Sequence, residues 1–473
     1  MELDKFIDEF KKQSENFGFC FESQSKKIKN AVWRQNIHPE KEEAFKKGAY
    51  FGIINANEEP TGAYSDFSLV IFPNIECSYF VIALAVGSLG FNKDYTIATS
   101  PWMRRLFSRL RDNKYREKQF FKVDFSDIES LSAIRNHLEE IEDLQEVIKK
   151  YSKFLSACQI VDIKNYSEQK ALEIVWQWLA IYAKFREVGG NNAQRDNIKN
   201  NLPEIKELDD YSEKAIYEHL YRERFIVLQG APGTGKTWTA NKIAEQYFND
   251  TIGKTFFEQF HAETTYSDFV YGIKPKTEEK KLLYQEHYGI LIEAIEYAKN
   301  YNKPTLLIID EINRANLSSV LGPVFYLFEK NTSERTAPLK IGTKEITKLP
   351  DNLYIIATMN TADRSLAVVD FALRRRFSWI TLRPHALDSE TNFRKKEFEC
   401  FSEFFYKYAS SEELNLQPGQ SYFLAKTPEE WKDRLKYELV PLMKEYFNEG
   451  YLKNAISEFS DYVYNELGIE LYE

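Results

Sequence analysis

Cysteine and histidine are scarce in this chain: four cysteines and six histidines in 473 residues. Cys20, Cys77, Cys158 and Cys400 lie far apart with no C-x-x-C pair, which excludes a zinc ribbon or a disulfide framework and fits a reducing cytoplasm. The histidines form no metal-ligand spacing; His38 and His137 read as ordinary surface or helix residues. Long apolar runs are missing too. The longest, residues 79–86, is far too short to span a bilayer and reads as a buried strand. Met1-Glu2-Leu3-Asp4-Lys5 lacks the basic-then-apolar pattern of a secretory signal. There is no excess of positive charge, the net value being −9, so any nucleic-acid surface must be a local patch. No internal repeat or low-complexity tract is present. What remains is a soluble, globular composition, 43% hydrophobic and 29% charged, long enough for several domains with sizeable cores.

The chain is organised around Gly230-Ala231-Pro232-Gly233-Thr234-Gly235-Lys236-Thr237, which has the form G-x-x-x-x-G-K-[ST]. The apolar run Phe225-Ile226-Val227-Leu228 precedes it, and the stretch opening at Trp238 reads as a helix. A strand, a glycine-rich turn and a helix N-terminus are the context this motif requires. Glycines let successive backbone N–H groups face one phosphate chain, and the helix dipole adds partial positive charge. Lys236 is expected at the β- and γ-phosphates, the Thr237 hydroxyl on Mg²⁺, and residues 230–238 together around the nucleotide.

Residues 305–311, Thr-Leu-Leu-Ile-Ile-Asp-Glu, are an apolar strand ending in two acids, at the end of the sheet where α/β folds bind ligands. Asp310 is expected to hold Mg²⁺ and Glu311 to act as general base on the attacking water. A third apolar strand, residues 353–359, ends in Asn360, whose amide suits positioning of water and γ-phosphate. Asp363 and Arg364 follow, then Arg374-Arg375-Arg376. These arginines are either a solvated helix end or an arginine finger reaching a neighbouring subunit, with Arg375 placed ahead of Arg374 and Arg376.

The expected fold class is α/β, a parallel-sheet P-loop core over 211–383 with a small helical lid over 384–473. An α+β domain over 1–160 precedes it, joined by a helical linker over 161–210. In the front domain residues 3–17 read as a helix, residues 50–54, 68–72 and 79–84 as strands, and residues 131–158 as one or two helices. In the core, strands are expected at 225–228, 305–309, 353–357 and 379–382. Between 101 and 122, Arg104, Arg105, Arg109 and Arg111 are interleaved with Trp102, Phe107 and Tyr115. This is the best candidate for a DNA surface in an acidic chain, phosphates meeting the arginines and bases stacking on the aromatics; an amphipathic helix with a solvated basic face accounts for it equally well.

Phosphate loop, Asp-Glu strand, strand-end Asn and arginine cluster together resemble an AAA+ NTPase module. Three stretches, 310–317 (Asp-Glu-Ile-Asn-Arg-Ala-Asn-Leu), 359–366 (Met-Asn-Thr-Ala-Asp-Arg-Ser-Leu) and 370–377 (Asp-Phe-Ala-Leu-Arg-Arg-Arg-Phe), closely resemble the McrB family, motor subunits of modification-dependent restriction systems. Phe260-His261, residues 266–269 and Ser421-Tyr422-Phe423 resemble further family stretches. The resemblance covers about residues 205–450. It implies a hexameric ring, hydrolysis of GTP, a separate McrC-like nuclease subunit and action on foreign DNA. It also gives Asn360 and Asp363 the hydrolysis role. Gln420 departs from the histidine usual in relatives. No Asn-Lys-x-Asp segment follows Lys236, and Asn92-Lys93-Asp94 lies upstream with the wrong spacing. GTP therefore comes from the resemblance, and ATP stays open. The competing readings are a MoxR-type remodelling ATPase whose front domain grips protein, and a non-hydrolysing nucleotide switch.

Overall fold

The computed structural model describes residues 2–23, 28–55, 67–85, 105, 110, 119–121, 142–151, 154–163, 166–202, 212–249, 251–278, 281–329, 338–362, 371–387 and 390–472. Contacts divide the chain into two units, Met1–Lys206 and Glu207–Glu473.

The first unit is an antiparallel sheet with helices packed on it. Its strands are β1 (Ala31–Asn36), β2 (Tyr50–Asn55), β3 (Ser68–Pro73), β4 (Tyr79–Ala85), β5 (Gln119–Phe121) and β6 (Leu155–Asp162), in the order β1-β2-β3-β4-β6-β5. Helix Leu3–Asn16 places Phe6, Ile7 and Phe10 on one buried face, the i, i+4 spacing that its sequence shows. The strands expected at 50–54, 68–72 and 79–84 are present.

Two expectations are corrected here. Residues 131–158 are not helical to their end: the described part is helix Glu142–Tyr151, and the chain then enters β6. Flanked by β4 and β5 and buried along most of its length, β6 carries a continuous apolar run, which periodicity does not separate from a buried helix. The helices expected to form a linker belong by packing to the first unit. Trp178 of helix Glu168–Phe185 is buried and donates its indole N–H to Gln159 Oε1 at 3.0 Å, and the Tyr182 hydroxyl donates to the Phe67 carbonyl at 3.0 Å.

The second unit holds a five-stranded parallel sheet. Its strands are β7 (Phe225–Gly230), β8 (Lys254–Gln259), β11 (Thr305–Asp310), β14 (Leu353–Asn360) and β15 (Ser378–Thr381), in the order β15-β7-β14-β11-β8. Side chains alternate between its faces. Val227, Leu307, Ile309, Ile355 and Ala357 pack with helix Ile290–Tyr301 in one core. Ile226, Leu228, Ile308 and Ile356 pack with helices Glu213–Glu223 and Lys236–Tyr247 in the other. Both faces are covered, which is why the central strands read as solid apolar runs. Strand β8 is different: it is an edge strand, partly exposed along its length, and its sequence Lys-Thr-Phe-Phe-Glu-Gln has no such run.

Two antiparallel hairpins depart from the sheet, β9 (Tyr271–Glu278) with β10 (Lys281–Tyr288), and β12 (Leu339–Ile341) with β13 (Lys344–Ile346). They meet where the Tyr288 hydroxyl lies 3.1 Å from Thr343 Oγ1. Beyond β15 the chain is helical, as expected for the lid. Helices Lys395–Tyr408, Pro428–Arg434, Val440–Asn448 and Ile456–Leu467 enclose an aromatic core built on Phe401, Phe405, Phe423, Trp431 and Phe459.

Candidate active site

The parallel sheet delivers three functional segments to one edge, the C-terminal ends of adjacent strands. Strand β7 runs into the phosphate loop; β14, beside it, ends with Asn360 paired in register to Gly230; β11, on the other side of β14, ends with Asp310. Gly233 and Gly235 have φ of +79° and +84°, the left-handed region that side chains other than glycine's adopt at a cost. Gly235 is the residue before helix Lys236–Tyr247, so the loop's amides and the helix N-terminus converge on one point. Lys236 is buried, and its ammonium donates to the Gly230 and Ala231 carbonyls at 3.0 and 2.9 Å. Trp238, expected among the nucleotide contacts, stands 57% exposed on the first turn, with Lys242 over its ring.

Asp310 is the centre of a tight hydroxyl cluster. Its Oδ1 accepts from Thr237 Oγ1 at 2.7 Å and from Thr358 Oγ1 at 2.6 Å, while Thr358 Oγ1 itself accepts from the Glu311 N–H at 3.0 Å. The two residues expected to hold Mg²⁺ are therefore in direct contact. A carboxylate and a hydroxyl beside a phosphate-binding loop are the hard oxygen donors Mg²⁺ prefers, and Mg²⁺ takes few ligands from protein when phosphates supply the rest. Among the described residues no group of three or more His, Cys, Asp or Glu forms a metal cage.

Glu311 has φ of +53°. A left-handed backbone of this kind in a non-glycine residue costs about 1–3 kcal/mol and persists where surrounding contacts hold it; here the Thr358 hydroxyl and the 3₁₀ turn Ile312–Arg314 do so. Glu311 Oε2 is buried and accepts no hydrogen bond, with Arg314 Nε 3.5 Å away. Asn360 Oδ1 and Asn313 Oδ1 are likewise buried without a hydrogen-bond partner, and Asn313 Nδ2 donates to the Asn360 carbonyl at 3.3 Å. Buried polar oxygens of this kind are rare in folded proteins, and a cluster of them marks a place where a ligand or water completes the bonding.

Sequence reading missed Thr358 and Asn313. The signal for Thr358 was a hydroxyl inside an otherwise apolar, fully buried strand. We expect Thr358→Val to cost about 1–3 kcal/mol, because it strands the Glu311 N–H and removes a donor from Asp310. Urea unfolding checks this; a midpoint equal to wild type, or an equal loss in Thr358→Ser, contradicts it.

The arginine cluster divides by environment. Arg376 is 7% exposed and donates to Glu329 Oε1 at 2.7 Å; Arg375 is 68% exposed and reaches the same oxygen at 3.2 Å. Arg374 is exposed, its guanidinium 5.2 Å from the Trp379 ring. Asp363, Arg364 and Asp370 lie outside the described residues, as do Trp102, Arg104, Arg109 and Arg111; of the expected DNA-binding residues only Arg105 lies within them.

The lid touches this site. Segment 419–422 packs on the phosphate loop, and burial pushes the Tyr422 phenol up. Thr361, just past β14, donates its N–H to the Gly230 carbonyl and its hydroxyl to the Asn415 carbonyl.

A parallel sheet in this strand order, a phosphate loop after one strand and an Asp-Glu pair after another define an AAA+ nucleoside-triphosphatase module. Residues 226–377 match the AAA domain of the dynein-related subfamily. The chain is 40% identical over 177 residues to the EcoKMcrB subunit of the type IV methyl-directed restriction enzyme of Escherichia coli K12, a match spanning 36% of this chain and 38% of that protein. It is 31% identical over 196 residues to the YdiS component of the type II restriction enzyme BsuMI of Bacillus subtilis 168, spanning 32% of this chain and 55% of that protein. A putative ATPase from Cytophaga hutchinsonii aligns over 47% of this chain and 57% of that one, at 19% identity and a TM-score of 0.26. The nucleotide-binding module is thus of the McrB family of AAA+ NTPases. The chain spans 38% and 55% of the two restriction proteins it matches.

Proposed function

We propose that this protein is the motor of a DNA restriction complex: a ring-forming AAA+ NTPase, with GTP favoured over ATP, acting with a separate nuclease subunit. Its front unit selects the target DNA. The observation that carries this reading is the set of buried oxygens on Glu311, Asn313 and Asn360 that accept no hydrogen bond, beside the phosphate loop, in a module whose relatives are named as restriction-enzyme components.

For the described residues, the arrangement supports the following chemistry. Backbone amides of residues 233–237 and the Lys236 ammonium bind the phosphate chain. Thr237 and Asp310 would hold Mg²⁺, which when bound neutralises charge on the phosphate oxygens. Glu311, anchored by its backbone to Thr358, takes the proton of the attacking water, and Asn360 holds that water in line. Asp363 supports the same step, and Arg375 is supplied to the neighbouring subunit's site. The basic and aromatic stretch containing Trp102, Arg104, Arg105, Arg109 and Arg111 meets DNA.

Turnover of GTP and ATP by the full chain, measured with and without DNA carrying different cytosine modifications, tests the reading. Hydrolysis of GTP above ATP, with a response to one class of DNA, is the expected result. Failure to bind either triphosphate overturns it, and hydrolysis indifferent to DNA, in the presence of the partner nuclease, removes the restriction role.

A further inference from the structure

Three residues of the lid donate hydrogen bonds to three consecutive carbonyls of the phosphate loop. The Gly419 N–H donates to the Pro232 carbonyl at 2.9 Å, the Ser421 N–H to the Gly233 carbonyl at 3.1 Å, and Gln420 Nε2 to the Thr234 carbonyl at 3.0 Å. The approach is as close as backbone allows. A Cβ on Gly419 would fall 2.0 Å from the Gly233 carbonyl carbon and 2.2 Å from Thr234 N, and one on Gly233 would fall 2.4 Å from Ser421 Oγ. Gln420 is 7% exposed, and because its partner is a carbonyl, the NH₂ end of its amide must face the loop.

The consequence comes from peptide geometry. A trans peptide is a rigid plane in which the carbonyl of one residue and the N–H of the next point in opposite directions, and the described residues contain no cis peptide. Holding the carbonyls of Pro232, Gly233 and Thr234 toward the lid therefore turns the N–H groups of Gly233, Thr234 and Gly235 away from it. Those are the amides that form the anion-binding concavity of such a loop. Gly233 and Gly235, both at positive φ, have the widest freedom to rotate those planes, so an external constraint has most to contribute there.

We propose that Gly419-Gln420-Ser421 is a clip that preorganises the phosphate-binding amides from behind, and that Gln420 is a positioning residue for nucleotide binding. The inference rests on the reading that this loop holds a triphosphate. It makes nucleotide affinity a function of where the lid sits: opening the clip frees three peptide planes at once, and a phosphate that fixes those planes favours the clipped lid in return.

The test uses the full chain, with fluorescent GTP and ATP analogues titrated by fluorescence, steady-state kinetics, and the melting temperature of the nucleotide-free protein. Gln420→Leu keeps the volume and removes the donor. We expect nucleotide affinity to fall about tenfold, with the loss in KM rather than kcat, the size of one hydrogen bond to a group that must stay oriented. Gln420→Glu, which sets a carboxylate oxygen against the Thr234 carbonyl, should lose more, while Gln420→His, with a ring N–H to donate, should recover part of the loss. Gly419→Ala wedges the clip open and should match or exceed Gln420→Glu. If wild type binds no purine triphosphate, the reading of the site itself fails. If wild type binds and Gln420→Leu and Gly419→Ala bind equally well, the clip alone is refuted. For Gln420→Leu, which keeps the lid's backbone contacts, a loss of affinity in step with a fall in nucleotide-free melting temperature also refutes it, since the lid has then merely come loose.

Discussion

Glu311→Gln should reduce triphosphate turnover by about a hundred- to ten-thousandfold while leaving nucleotide binding intact, the range set by removing a positioned general base. The substitution keeps the side chain's length and shape, and the φ of +53° is no harder for glutamine than for glutamate. The Thr358 hydroxyl bonds the Glu311 backbone rather than its carboxylate, so the turn survives. What is lost is the capacity of Oε2, buried and without a hydrogen-bond partner, to take a proton. Stability should change little: the amide is cheaper to bury than a carboxylate oxygen lacking a hydrogen bond, and the ion pair it gives up, to a half-exposed Arg314 at 3.5 Å, is worth roughly 0–1 kcal/mol. Phosphate release and fluorescent-nucleotide titration on the same preparation decide the matter. Turnover within a few-fold of wild type would show that another group activates the water.

Much of this site was legible because its parts lie at the ends of buried parallel strands. A strand covered on both faces is apolar along nearly all its length, so a carboxylate or amide that follows it announces the sheet's end. Asp310 after residues 305–309 and Asn360 after residues 353–359 are both of this kind. The same logic explains the failures. Strand β8 is an edge with charged and aromatic residues interspersed, and the β9–β10 hairpin leaves Ile273, Leu282 and Tyr284 exposed, so neither carries the run that marks a central strand. Strand β6 failed for the opposite reason: its run is continuous and follows directly on helix Glu142–Tyr151.

Side-chain partnerships were less visible than strands. The Thr358 hydroxyl joining Asp310 to Glu311 spans a separation of 47 residues and the Gln420 amide on the Thr234 carbonyl one of 186. Neither distance is encoded in local pattern. Gln420 stood out in the sequence only as a departure from its relatives, and its contact with the loop emerges once the lid is folded.

Arg375→Ala should abolish turnover in the assembled protein, by about a thousandfold or more if it serves as an arginine finger, and the loss should be repaired by protomers that are themselves inactive. The three arginines differ in how free they are to leave. Arg376 is nearly buried on Glu329, so its removal should show first as lost stability, about 1–3 kcal/mol, from the charged hydrogen bond it makes. Arg375 reaches Glu329 only as an exposed pair, which is worth roughly 0–1 kcal/mol and yields readily to a stronger anion. A finger needs that balance: held near its working position, yet released when a neighbour's γ-phosphate arrives. Mixing Arg375→Ala with Glu311→Gln chains then makes a sharp test. In a head-to-tail ring, each interface pairs the phosphate loop and base of one subunit with the arginine of the next. A site formed by the Glu311 of an Arg375→Ala chain and the Arg375 of a Glu311→Gln chain is complete. Random mixing at equal concentrations gives such interfaces about one quarter of the time, so up to about a quarter of wild-type turnover should return if sites act independently. Recovery with Arg376→Ala in place of Arg375→Ala would transfer the role to Arg376. No recovery with either would place the arginines in their own subunit's site and remove the main support for a ring.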